Sequence, residues 1–137
     1  MDPIPSVQAI LICEKIIEEA RTRTKSLINI FNRINTLNVP IGIKLALYAR
    51  LTDAEGAYEF RINVVQLSDD RKIAQIVSRP LQIADRLLSF ELAIQFPMPI
   101  QFEAFGKYEF QLYANDVFLG HTTILVNKIE GPPDVKS

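Results

Sequence analysis

The sequence predicts an all-β, mostly antiparallel β-sandwich, immunoglobulin-like in general shape, with about seven to nine strands. Three observations predict it. Residues 104–126, AFGKYEFQLYANDVFLGHTTILV, carry a hairpin pattern. Other period-two runs recur along the chain with turn residues between them. A Gly-x-Tyr-x-Phe strand entry occurs twice, at Gly56-Ala57-Tyr58-Glu59-Phe60 and Gly106-Lys107-Tyr108-Glu109-Phe110.

The hairpin organises the rest. Tyr108, Phe110, Leu112 and Ala114 alternate with Lys107, Glu109, Gln111 and Tyr113, so one face of that strand is apolar. Asn115-Asp116 suits a two-residue turn, because both residue types tolerate positive φ. Val117 to Val126 returns, with Ile124 and Val126 on one side. A hairpin cannot bury its apolar face alone and needs more sheet to pack on.

From the N-terminus, Pro3 and Pro5 disfavour regular pairing and make Met1 to Ser6 an irregular lead-in. Val7 to Ala20 carries two patterns. Ala9, Cys13, Ile16, Ile17 and Ala20 fit helical spacing, whereas Ile10-Leu11-Ile12 is a compact β-rich run. We favour two strands, the second over Lys25 to Ile34, joined near Ala20 to Thr24. Asn38-Val39-Pro40 breaks the pattern. Ile41 to Thr52 reads as one long strand, with Ile41, Ile43, Leu45, Leu47, Ala49 and Leu51 inside and Lys44, Tyr48 and Arg50 outside. After a turn at Asp53 to Gly56, Tyr58, Phe60, Ile62 and Val64 line the next strand. Ser68 to Arg71 is a further turn. Ile73 to Ile83 is a weaker strand, whose Pro80 points to an edge or a bulge. Leu88, Phe90, Leu92, Ile94 and Phe96 alternate cleanly. The segment FPMPIQFEAFG is a connection without period two, and Gly131-Pro132-Pro133 ends the fold before a loose tail. The Gly106-Lys107-Tyr108 entry suits a tyrosine corner, in which the phenol bonds back to upstream backbone.

A chain of 137 residues makes one domain with a core over about residues 7–128. Fifteen Lys and Arg against 16 Asp and Glu offer no bulk attraction to nucleic acid or to an anionic membrane. The single Cys13 allows no internal disulfide and fits a reducing compartment. The acidic, proline-containing start is unlike a secretory signal, and no apolar run approaches bilayer length. We therefore expect a soluble, cytoplasmic protein.

Ala9 to Cys13, then Lys25-Ser26-Leu27-Ile28-Asn29-Ile30-Phe31-Asn32-Arg33-Ile34 and the closing Gly-x-Tyr-x-Phe hairpin, resemble a family of small bacterial domains known only as of unknown function. Its members show a leucine-cysteine start, a K-L-x-L-I-G-I-F-D-R-I-like strand and a G-x-Y-x-F-x-L hairpin. This chain departs at Asn29, where the family has glycine, at Asn32, where it often has aspartate, and in the Arg-Thr-Arg-Thr turn, where glycines are usual. The resemblance implies a β-sandwich and an intracellular bacterial context. It transfers no catalytic residue, and it turns the reading of Ala9 to Glu19 to strand.

Little chemistry can be assembled. His121 is the sole histidine, which rules out a multi-histidine metal site, and its strand position faces it to solvent. Cys13 in an apolar strand reads as a buried, inert thiol. Glu18-Glu19 point to opposite faces of a strand, while Asp53, Glu55 and Asp69-Asp70 are ordinary turn formers. No Gly-rich phosphate loop, zinc spacing or nucleophile elbow is present. Neither cofactor nor metal is expected. Arg21, Arg23 and Lys25, spaced by two, would share a side in extended chain and contact an anion, or else form a solvated hairpin tip.

The stretch Phe96 to Phe105 is unusually apolar for a loop. In one reading Phe96, Ile100, Phe102 and Phe105 plug the open end of the sandwich. In the other, Met98, Ile100 and Phe102, with Tyr113 and Phe118, form a surface for a protein partner or for self-association. The sequence is read accordingly as a non-enzymatic protein-interaction or scaffolding domain. The alternative is a small-ligand-binding domain that uses an inter-sheet cleft or the Arg21, Arg23 and Lys25 tip.

Overall fold

The computed structural model describes residues 2–130. The expected end of the fold at Gly131-Pro132-Pro133 and the tail to Ser137 lie outside the described residues. In chain order the strands are β1 (Ser6–Glu18), β2 (Lys25–Ile30), β3 (Arg33–Thr36), β4 (Ile41–Ile43), β5 (Ala46–Thr52), β6 (Gly56–Tyr58) and β7 (Phe60–Gln66). There follow β8 (Arg71–Val77), β9 (Leu81–Ile83), β10 (Phe90–Gln95), β11 (Ile100–Phe102), β12 (Gly106–Ala114) and β13 (Val117–Lys128). A four-stranded sheet, β10-β5-β1-β2, faces a five-stranded sheet, β3-β13-β12-β7-β8, and β11-β4 and β6-β9 form two small ribbons. The result is the all-β, mostly antiparallel sandwich expected, and the region left between helix and strand is β1.

The core follows from the period-two pattern. Leu45, Leu47, Ala49 and Leu51 of the β5 region meet Phe60, Ile62 and Val64 of β7 and Tyr108, Phe110 and Leu112 of β12, all fully buried. Phe60 lies 5.9 Å from Phe90 across the sandwich, and Phe96 packs edge-on to Phe110 at 6.2 Å. Each such side chain contributes about 1.5–3 kcal/mol of hydrophobic stabilisation.

Thirteen strands stand among the described residues where seven to nine were expected, because four predicted strands divide, one of them at Glu59 into β6 and β7, and the connection before β12 gains a strand of its own. The predicted strand Lys25 to Ile34 crosses between sheets. Asn29 takes φ 55°, β2 pairs with β1, and β3 pairs with β13 as the one parallel ladder described. Ile41 to Thr52 divides at Lys44-Leu45, so that β4 pairs with β11 while β5 stays between β1 and β10. Ile73 to Ile83 divides around Pro80 into β8 and β9, which belong to different sheets. Pro80 lacks the N–H that would continue a ladder. The connection Phe96 to Phe105 contains β11, a strand whose brevity hides its period. Leu88, expected inside, is 65% exposed, and the strand starts at Phe90.

The repeated Gly-x-Tyr-x-Phe entry is a repeated corner. Gly56 and Gly106 have φ of 125° and 126°, a conformation essentially reserved for glycine. The Tyr108 hydroxyl donates to Ala104 O at 2.7 Å and accepts from Ala104 N–H at 3.2 Å. The Tyr58 hydroxyl donates to Pro3 O at 2.6 Å and accepts from Glu55 N–H at 3.0 Å. Both phenols are thus buried with partners, as a tyrosine corner requires. A Cβ on Gly106 would meet nothing within 4 Å, so glycine is needed there for φ alone. At Gly56 a Cβ would also collide with the Asp2 carboxylate.

Candidate interaction surface

The outer face of the five-stranded sheet carries a continuous row across four strands. The register places Phe118 of β13 opposite Tyr113 of β12, Tyr113 opposite Arg61 of β7, and Arg61 opposite Val77 of β8. A bulge beside Leu112 leaves Leu119 unpaired and brings Phe118 into this row. Tyr113 and Phe118 meet edge-on at 5.6 Å, and the Arg61 guanidinium lies 4.3 Å from the Tyr113 ring centroid. Arg61 also pairs with Asp116 in the β12–β13 turn. Phe118 and Val77, at the two ends, are 49% and 44% exposed. His121 stacks on Phe118 at 6.2 Å and lies 3.8 Å from Glu109, exposed as its strand position predicts.

At the Val77 end the row reaches an open sheet edge. Among the described residues β8 pairs with β7 alone. Ser78 N–H donates to Phe60 O at 2.8 Å, so that pair is hydrogen-bonded. Bonded and non-bonded pairs alternate along an antiparallel ladder. Ile62–Ile76 and Val64–Ala74 are therefore the bonded pairs, and Arg61–Val77 and Asn63–Gln75 are not. The amide groups of Gln75 and Val77 consequently point away from β7, off the sheet. Ile73, Ala74, Gln75 and Ile76 form one wall of a groove of about 360 Å³ along this edge. The Phe96 to Gln101 segment forms the other, with Met98 71% exposed. Pro97 and Pro99 have no N–H, so they cannot donate to the β8 edge.

The sequence-predicted surface is thus split. Met98 and Phe118 are exposed and Tyr113 is half-buried. Ile100 and Phe102 are not on a surface: at 5% and 0% exposure they sit in the core, with the Phe102 ring 4.8 Å from Tyr108. Pairing of β11 with β4 fixes alternate residues of that segment inward, and Phe96, Ile100 and Phe102 close the end of the sandwich. Arg61 and Val77 were missed. Counting back from the Asn115-Asp116 turn places Phe118 near Tyr113, but the strand beside β12 is decided by tertiary pairing.

The cationic tip is also rearranged. Arg23 takes φ 62°, which breaks the extended spacing, and its guanidinium pairs with Glu18 at 3.4 Å. Lys25 bonds Glu18 at 3.5 Å and Glu91 at 3.3 Å. Arg21 alone of the three has no ion pair among the described residues. The Lys25–Glu91 contact is informative about shape. Glu91 aligns with Arg50 and Ala9, nine residues along β1 from the Glu18–Lys25 pair. In a flat sheet that is about 30 Å, so the far half of the β1–β2 hairpin coils back across the sheet. Two of the three cations are thus taken up by carboxylates, and core side chains pack between the sheets.

Tyr48 donates a hydrogen bond to Glu91, and the pair titrates accordingly. The Tyr48 phenol is pushed up to about 12, first by burial and then by Glu91. The Glu91 carboxyl is held below its ordinary value, first by the Tyr48 bond and further by Lys25 and Arg50, against the upward push of burial. A lowered carboxyl stabilises the fold above its ordinary range and loses that contribution as pH falls through the folded value. A raised phenol stabilises below about 10 and loses it as pH rises toward 12. Tyr48→Phe is expected to cost about 0.5–1.5 kcal/mol near neutrality. Its urea midpoint should fall less steeply than the wild type's at both the acid and the alkaline ends. Parallel profiles throughout would show that the pair does not couple to folding.

Cys13 is fully buried, its thiol contacts Ala46 O at 3.8 Å, and burial pushes its pKa up, as an inert thiol requires. Among the described residues no group of three or more His, Cys, Asp or Glu is placed to hold a metal ion.

A search of curated proteins finds no match. Among solved structures, an immunoglobulin-like protein from Pseudomonas aeruginosa aligns with 12% identity and a TM-score of 0.40, covering 91% of this chain and 98% of its own. A family model matches residues 8–127, which span both sheets and the whole surface described above, and the chain belongs to that family, DUF6941, a family of unknown function.

Proposed function

We propose that this chain is a protein-interaction domain that works by binding rather than by catalysis. The row Phe118–Tyr113–Arg61–Val77 carries the reading. Aromatic and arginine side chains are the commonest energetic anchors of protein interfaces. Here they are held by a rigid sheet, with apolar groups exposed at both ends. Neither the paired cations of the β1–β2 tip nor the filled inter-sheet space favours a small-ligand site.

The test is capture from a lysate of the native host with the tagged full chain, compared with Phe118→Ser combined with Val77→Ser. A stoichiometric partner held by the wild type and lost by the variant is the expected result. A partner retained equally by both, or no stoichiometric partner at all, would overturn the assignment.

A further inference from the structure

We infer that the β8 edge receives an extended peptide segment of a partner protein as an added strand, apolar at alternate positions and flanked by acidic residues. The inference deepens the interaction reading and rests on it. Gln75 and Val77 direct their N–H and C=O groups off the sheet, which is the donor-acceptor pattern that another strand satisfies. The groove beside them is lined by Ile73, Ile76, Phe96 and Met98, which accept the apolar side chains of such a strand. Pro97 and Pro99 keep the facing segment from pairing with β8 itself.

Charge selects the occupant. Lys72 and Arg79 flank the unbulged stretch Ala74–Val77, and neither has a carboxylate partner among the described residues. Lys72 bonds only the neutral Gln75 amide oxygen, at 2.6 Å. A second copy of the chain, paired antiparallel with Gln75 opposite Val77 so that the outward groups meet, would bring Lys72 beside Arg79 of the other copy, and like charges set close across a ladder destabilise it. Acidic residues on either side of an apolar core complement both cations.

A displayed library of random twelve-residue peptides, selected against the full chain, tests this. The expected winners carry alternating β-branched or aromatic residues between acidic flanks. The double change Lys72→Glu with Arg79→Glu should shift selection to basic flanks. Gln75→Pro removes an outward N–H and no ladder bond to β7, so it should keep the wild-type melting temperature within a few degrees and weaken the selected peptides at least tenfold. Failure to select any peptide, or winners indifferent to both changes, would overturn the inference. If the lysate partner is nevertheless lost on Phe118→Ser with Val77→Ser, the interaction reading survives and strand addition alone falls. Self-association of the wild type abolished by Gln75→Pro would favour a second copy and equally overturn the inference.

Discussion

Phe110→Ala is expected to cost about 3–5 kcal/mol, enough to remove a large part of the stability of a domain this size. Phe110 is fully buried at the middle of β12, between Thr122 of β13 and Val64 of β7, with the Phe96 ring against it. Strands on both sides leave little freedom for the sheet to close over the cavity, so the loss should lie toward the upper end. Thermal unfolding should shift down by about 10–15 °C. Phe118→Ala, half-exposed on the outer face of β13, should stay within about 1 kcal/mol. Equal losses at the two positions would mean that Phe118 is a structural residue, and its place in an interaction surface would have to be given up.

Asn115→Val should be the costliest change outside the core, at about 2–4 kcal/mol. Asn115 and Asp116 take φ of 46° and 67°, the conformation of a type I′ turn that matches the twist of β12 and β13. A β-branched residue in that region is strained by about 1–3 kcal/mol. The side chain works as well: Asn115 Oδ1 accepts from Glu59 N–H at 2.9 Å, and its amide donates to Ala57 O at 3.1 Å. These bonds tie the hairpin turn to the start of β7. Asn115→Gly separates the two contributions, because glycine keeps the backbone conformation and loses only the bonds, at about 1–2 kcal/mol. Urea midpoints of the two variants measure the difference. Equal midpoints would show that the backbone conformation costs valine nothing.

The Gly-x-Tyr-x-Phe echo has a physical explanation that neither copy alone provides. Gly106 opens β12 and Gly56 opens the short β6 that leads directly into β7, and each tyrosine buries its ring while returning its hydroxyl to the backbone just upstream. β7 and β12 are adjacent in the five-stranded sheet, so the two corners frame its centre. Similar sequence marks a similar mechanical task.

Local periodicity determined much of this protein by itself. Alternation in β5, β7, β10, β12 and β13 named the inward side chains, since a strand's two faces are set by its own residues. Asn115-Asp116 and the two glycines announced their turns, because positive φ is a property of residue type. Tertiary structure decided where strands change partner, as at Phe31-Asn32, Lys44-Leu45 and Pro80, because a ladder ends when its neighbour does. It decided that Ile100 and Phe102 lie inside, through a three-residue strand too short to show a period. It also coiled the β1–β2 hairpin until Lys25 met Glu91, and it aligned Phe118, Tyr113, Arg61 and Val77. Those residues lie on four strands, and only hydrogen-bonded register between strands can place them in one row.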